Sequence, residues 1–204
     1  MSGVEYARQE TQQLFLAALE DPQAQVLCAA VSGLGHRPHP EALPRLVELT
    51  THRDARLRWQ VAVTLGAYKE ASATEALVQL MKDPDDAVRD WATFGLGSLH
   101  DADSPAARAA LWEGLEDNDA DVRGEALVGL AERRDPRLID YLLKHLDSNC
   151  LVYDLEAAEK LADPRLRAPL QAIEGSLQAA GRKGYWFTCL QAAIGACQPG
   201  HAIR

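Results

Sequence analysis

The residues of this 204-residue chain that could do chemistry are clustered aspartates, a few histidines, regularly spaced arginines and two prominent tryptophans. Carboxylates crowd two stretches, Asp83-Pro84-Asp85-Asp86 and Glu116-Asp117-Asn118-Asp119-Ala120-Asp121. Such clusters can hold a cation or attract a basic surface. The second begins like a calcium loop but departs from one, because its sixth position is Val122 rather than Gly and its twelfth is Val128 rather than Glu. His36-Arg37-Pro38-His39 puts two histidines in one loop, with Glu41 the one further ligand type at usable spacing, so no metal centre is expected. Cys28, Cys150, Cys189 and Cys197 are scattered without a CxxC and read as reduced thiols of a cytoplasmic protein. No GxSxG, P-loop or GxGxxG occurs. The chain therefore reads as a non-enzyme, with no catalytic residue and no cofactor.

The net charge of −9 has a location. Residues 83–121 carry eleven acids against Arg89 and Arg108, an excess equal to the whole net charge. A field of that sign repels phosphate backbones and draws in basic partners, so a protein is the expected partner and nucleic acid is not. No run of about 18 apolar residues is present and the N-terminus lacks a signal-like apolar core, so neither membrane insertion nor secretion is expected.

The elements that position these residues show in a repeat. An apolar anchor recurs at Val26, Leu57, Val88, Val122 and Tyr153, at intervals of 31, 31, 34 and 31. Ala30, Val61, Ala92, Ala126 and Ala157 follow four residues later, and Leu34, Leu65, Leu96, Leu130 and Leu161 eight later. That spacing keeps all three on one helix face. Gly35, Gly66, Gly97, Ala131 and Ala162 come next, and the terminal Gly suits a helix end, where positive φ is cheap. A second helix per unit is marked by Leu46, Leu77, Leu111, Leu142 and Ile173. The three extra residues of the third unit are expected in the loop 99–105, with Ser104 as N-cap and Pro105 opening the next helix. Asp135-Pro136 and Asp163-Pro164 open second helices in the same way.

The expected fold is all-α: an αα-solenoid of five to six helix pairs and about twelve helices, forming one domain over 1–204. The units run 21–52, 53–82, 83–116, 117–147 and 148–178, with partial capping units at 4–20 and 184–197 and a flexible turn at 179–184.

The phrases DPDDAVRDWATFGLG and DNDADVRGEALVGLAERRDPRLIDYLLKHL resemble HEAT repeats of the short, phycobilin-lyase type, over roughly residues 21–178. DWATFGLG and VYDLEAAEKLAD also resemble small bacterial HEAT-repeat proteins, some encoded beside Rhs-type toxins. The resemblance implies second helices lining a concave binding face. No histidine is followed by Glu, so the iron-binding His-Glu pairs of HEAT-like deoxyhypusine hydroxylases are missing. The basic groove of helical-repeat DNA glycosylases is missing too.

The arginines Arg58, Arg89 and Arg123 follow Asp54, Asp85 and Asp119 by four residues, which suits i, i+4 pairing at helix starts. Asp85, Asp86, Asp117 and Asp121 serve capping and solubility, or a docking edge for a basic partner. On the second helices, Glu75, Gln79, Glu113, Asp140 and Lys144 fall in solvent-facing columns beside Trp112. Trp91 breaks an otherwise mostly polar column of the first helices. Either tryptophan is a packing residue or an interface anchor. The functional expectation is a protein-binding scaffold, monomeric when unbound, of the immunity or adaptor kind, covering a basic partner such as a toxin domain. A lyase-like or chaperone subunit working with a partner subunit, and a generic scaffold, are the alternatives.

Overall fold

The computed structural model describes residues 3–178 and 184–199. Twelve α-helices and no strand are found among them: α1 (Gly3–Ala18), α2 (Ala24–His36), α3 (Leu43–Leu49), α4 (Ala55–Leu65), α5 (Ala71–Leu80), α6 (Asp86–Phe94), α7 (Pro105–Gly114), α8 (Ala120–Glu132), α9 (Arg137–His145), α10 (Val152–Leu161), α11 (Arg167–Gln178) and α12 (Tyr185–Ala196). This is the all-α solenoid that the repeat spacing predicts. The chain divides into two compact units, Met1–Ala110 and Leu111–Arg204, and the division falls within α7.

In the first unit α1 packs on α2, α2 on α4 and α4 on α6, while α3 and α5 flank α4. In the second, α8 packs on α10 and α10 on α12, with α9 against α8 and α10, and α11 against α12. The repeated leucines make the core: Leu34, Leu65, Leu96 and Leu130 are fully buried, as are Leu46, Leu77, Leu111 and Leu142. Ala30, Val61, Ala92, Ala126 and Ala157 are buried too, at 2% exposure or less. At the four alanines a single methyl lets neighbouring first helices approach closely.

Aspartates start three of the first helices, α4, α6 and α8. The Asp54 carboxylate accepts from the Arg56 amide at 2.9 Å, that of Asp85 from Val88 at 3.2 Å, and that of Asp119 from Asp121 and Val122 at 2.9 and 3.1 Å. Each satisfies amides that the helix leaves unpaired. Ser104 caps α7 as expected, its hydroxyl accepting from the Ala107 amide at 3.1 Å.

Three expectations change. The column glycines are not positive-φ helix ends: Gly66 has φ −57°, Gly35 lies inside α2, and the only positive-φ residues among those described are Arg134, Ala162 and Gly184. Glycine is needed for close approach instead. A Cβ on Gly66 would stand 2.7 Å from a Leu99 methyl and 3.6 Å from the Gly95 Cα. Secondly, the arginines are not held by the aspartate four residues earlier. Arg58 makes two bonds to Asp83, of 2.7 and 2.8 Å, and one to the His52 carbonyl at 2.8 Å. Arg89 and Arg123 reach the equivalent turn carbonyls, Asp83 at 3.0 Å and Asp117 at 2.7 Å. A guanidinium on a long stem reaches past the N-cap, whose carboxylate is already taken by backbone amides. Thirdly, the extra residues of the third unit do not all enter the loop. Gly95–Leu99 forms one wide π-helical turn, closed by the His100 amide on the Gly95 carbonyl at 3.0 Å, and only then does the loop begin.

The expected link 179–184 lies outside the described residues except for Gly184, whose φ of 119° suits glycine alone.

Candidate functional site

Within the first unit, the aspartates of 83–86 divide by role. Asp83 is 8% exposed and clamped by Arg58. Burial pushes its carboxyl up, but the Arg58 hydrogen bonds, the Asp85 amide and the Arg58 and Arg89 charges together hold it below the ordinary carboxylate value. Asp85 is half-buried and engaged as a cap, whereas Asp86 is exposed. Trp91 is half-buried in an aromatic cluster, edge-on to Trp59 at 5.8 Å and to Phe94 at 5.6 Å.

Glu75 and Gln79 are both exposed on α5, where they border a groove of about 560 Å³. Lys69, Ala71, Thr74, Val78, Ala102, Ser104 and Ala106 complete its walls. Beneath it lies a buried polar chain: Thr74 Oγ1 is 3.3 Å from His100 Nδ1, and His100 Nε2 is 3.1 Å from the Leu65 carbonyl. The wide turn at 95–99 delivers His100 to this place, at 4% exposure.

The second unit brings Trp112 together with residues that the repeat columns did not single out. Its indole Nε1 donates to Asp135 at 3.3 Å, the Arg137 guanidinium lies 4.7 Å from its ring centroid, and Tyr141 meets it edge-on at 6.1 Å. Tyr141 then stacks on His145 at 4.1 Å. Asp135, 2% exposed, grips Arg137 through bonds of 2.9 and 2.8 Å. Trp112, Arg137, Tyr141 and His145 thus form a preorganised aromatic and cationic strip. Burial, then the negative charges of Asp154 and Glu116, push the Tyr141 phenol above its ordinary value. Glu113, Asp140 and Lys144 are exposed, and Asp140 lies near enough to Arg165 to favour its charged form, behind the larger effect of Asp163. In the turn, the half-buried Asp117 accepts from the Asp119 amide at 2.8 Å, and the exposed Asp121 from the Tyr153 hydroxyl at 3.3 Å.

The site residues read from sequence thus fall into two sets, Asp85, Asp86, Trp91, Glu75 and Gln79 in one unit and Trp112, Glu113, Asp117, Asp121, Asp140 and Lys144 in the other. Trp59, His100, Asp135, Arg137 and Tyr141 were not singled out. A signal for two of them is the phrase Asp-Pro-Arg: Asp135 holds Arg137 as Asp163 holds Arg165, at 3.0 Å for both bonds of the latter pair. Among the described residues no cluster of three or more His, Cys, Asp or Glu is placed to hold a metal ion, and no helix is long and apolar enough to cross a membrane.

Comparison with known proteins agrees with this architecture. The family model for HEAT repeats matches residues 11–97 and 74–162. Protein YibA of Escherichia coli strain K12 is 31% identical over 164 residues, 76% of this chain and 58% of YibA, and YibA of strain O157:H7 matches equally. The chain therefore spans a little over half the length of these curated relatives. The crystal structure of E. coli YibA superposes with a TM-score of 0.70 at 25% identity, covering 94% of this chain and 69% of YibA. A designed armadillo repeat protein superposes with a TM-score of 0.54 at 16% identity, over 90% of this chain and 98% of its own, and speaks for the fold alone. With paired helices, a buried leucine ladder and a family match running through most of its length, the chain belongs to the HEAT-repeat family.

Proposed function

We propose that this protein is a non-enzymatic scaffold of the immunity or adaptor kind, which uses its acidic turns to cover a basic partner such as a toxin domain. The observation that carries this reading is the concentration of the whole net charge in residues 83–121. The HEAT-repeat fold is consistent with a protein-interaction role, because stacked helix pairs offer extended surface without a reaction centre. Asp86 and Asp121 are exposed and face solvent with their charge, while Asp85 contributes charge from a capping position and Asp117 from the turn before one. Covering a basic surface would block its access to a polyanionic substrate with no chemistry. Trp112 supplies an aromatic anchor of the type that dominates interface energetics.

The test is the joint replacement of Asp85, Asp86, Asp117 and Asp121 by Asn. Asparagine caps helices as well as aspartate does, so the change removes charge while keeping the turns. A stoichiometric basic partner recovered from the native host should be released by salt and lost in the variant. Retention of the true partner by the variant, or indifference to salt, overturns the reading.

A further inference from the structure

The groove on the first unit has a chemical polarity that its buried chain sets. The Leu65 carbonyl can only accept, so the facing His100 Nε2 carries a proton. In a neutral ring Nδ1 is then an acceptor, and the Thr74 hydroxyl donates to it. Thr74, 8% exposed, lines the groove, and its hydroxyl oxygen, with its proton given to His100, keeps only acceptor capacity. One residue on, the exposed Glu75 adds a carboxylate that makes no hydrogen bond or ion pair among the described residues. The cation on the rim, Lys69, is turned aside: its ammonium donates to the Leu99 carbonyl and stands 3.9 Å from Asp101. Asp101 is itself almost wholly exposed. The groove thus presents acceptors and negative charge above small apolar walls, Ala71, Val78, Ala102 and Ala106. At about 560 Å³ it lies within the size range of ligand-binding clefts.

We propose that this groove takes an extended peptide segment of a partner protein, seating a lysine or arginine side chain against Glu75 and Thr74 and small apolar neighbours over Val78, Ala102 and Ala106. The proposal rests on the reading of a basic protein partner and gives that partner a specific anchor. It depends on the third unit's insertion, since the loop that follows the wide turn supplies His100 and Ala102, and leads into α7, which supplies Ala106.

The test is NMR titration of the full isotope-labelled chain with two probes, acetyl-Ala-Arg-Ala-amide and acetyl-Ala-Glu-Ala-amide. The arginine peptide should move the amides of residues 71–79, 100–104 and 106, and the glutamate peptide should not. Glu75→Gln should weaken the arginine peptide about tenfold, the loss of one charge-assisted hydrogen bond. Glu75→Lys should transfer the preference to the glutamate peptide. Thr74→Val should weaken binding while Thr74→Ser retains it, and a conserved amide spectrum identifies variants that remain folded. Equal response to both peptides, unchanged affinity in Glu75→Gln, or shifts shared evenly with the acidic turns overturns the groove. Failure here leaves the acidic-turn reading standing if the fourfold Asn variant still loses its partner. Failure of that variant test with intact peptide selectivity removes the turns and leaves the groove.

Discussion

Asp83→Ala is the perturbation that most directly tests how neighbouring repeats are held together. Asp83 and Arg58 are 25 residues apart, with side-chain exposures of 6% and 12%, and two bonds of 2.7 and 2.8 Å join them. Removing one member of a buried pair leaves the other charge uncompensated, which costs about 3–5 kcal/mol. Arg58 keeps the His52 carbonyl, which lowers the loss, but the Asp85 amide also loses its acceptor at 3.0 Å, which raises it. The expected destabilisation is therefore about 4 kcal/mol, mid-range. Urea unfolding followed by circular dichroism measures it. Adding Arg58→Met to Asp83→Ala should restore part of the loss, because no buried charge then remains. Glu48→Gln, which breaks an exposed pair with Arg45, should cost about 1 kcal/mol or less. The sign with pH follows from the depressed Asp83 carboxyl. Its contribution is present above the unfolded-state value of about 3.9 and is lost as pH falls through the lower folded-state value. The difference between wild type and Asp83→Ala should therefore shrink in strong acid. A cost below about 1 kcal/mol at pH 7, or a difference that grows in acid, refutes the reasoning.

Three further outcomes are expected. Gly124→Ala would place a Cβ 2.1 Å from the Tyr153 ring, and the overpacking should cost about 1–3 kcal/mol in thermal or urea unfolding, more than the helix propensity gained. Tyr153→Ala in the same chain should relieve it. Trp112→Ala should lower affinity for the partner by about 2 kcal/mol in calorimetry while far-UV circular dichroism stays unchanged, and unchanged affinity removes Trp112 from the interface. At pH 8 a thiol reagent should titrate Cys28 and Cys189 in the folded protein, since Cys150 and Cys197 are buried, with thiols pushed up to about 12 and about 11, and all four should react in denaturant.

The repeat columns made the helices legible because a 0, 4, 8 spacing of anchor, small residue and leucine has one periodic solution. The inner columns hold best: the +4 residue is buried in all five units. In the first and fifth units the pattern loosens, with Val26, Tyr153 and Leu161 only half-buried. What the columns hid were contacts between offset positions. Trp59 lies two residues past its anchor and Trp91 three past the next, yet their rings meet at 5.8 Å. Trp112 and Tyr141 fall on opposite sides of their column leucines and also touch. The glycines misled for a related reason. A glycine permits both positive φ and close approach, and the spacing alone does not separate these uses. His100 reached the core through a wide turn that no periodicity announces.

The aspartates at the helix starts have a consequence for how this surface can drift over generations. Asp54, Asp85 and Asp119 are each held to their places by a mechanical duty to backbone amides. Their charge accompanies that duty as a by-product. A lineage can therefore change its exposed side chains freely, but each of these starts must keep a short side-chain acceptor, and Asn, Ser or Thr can take over the cap without the charge. A partner that comes to depend on the charge thus relies on something folding permits but does not enforce, and a single cap-preserving change can weaken it while the turn stays intact.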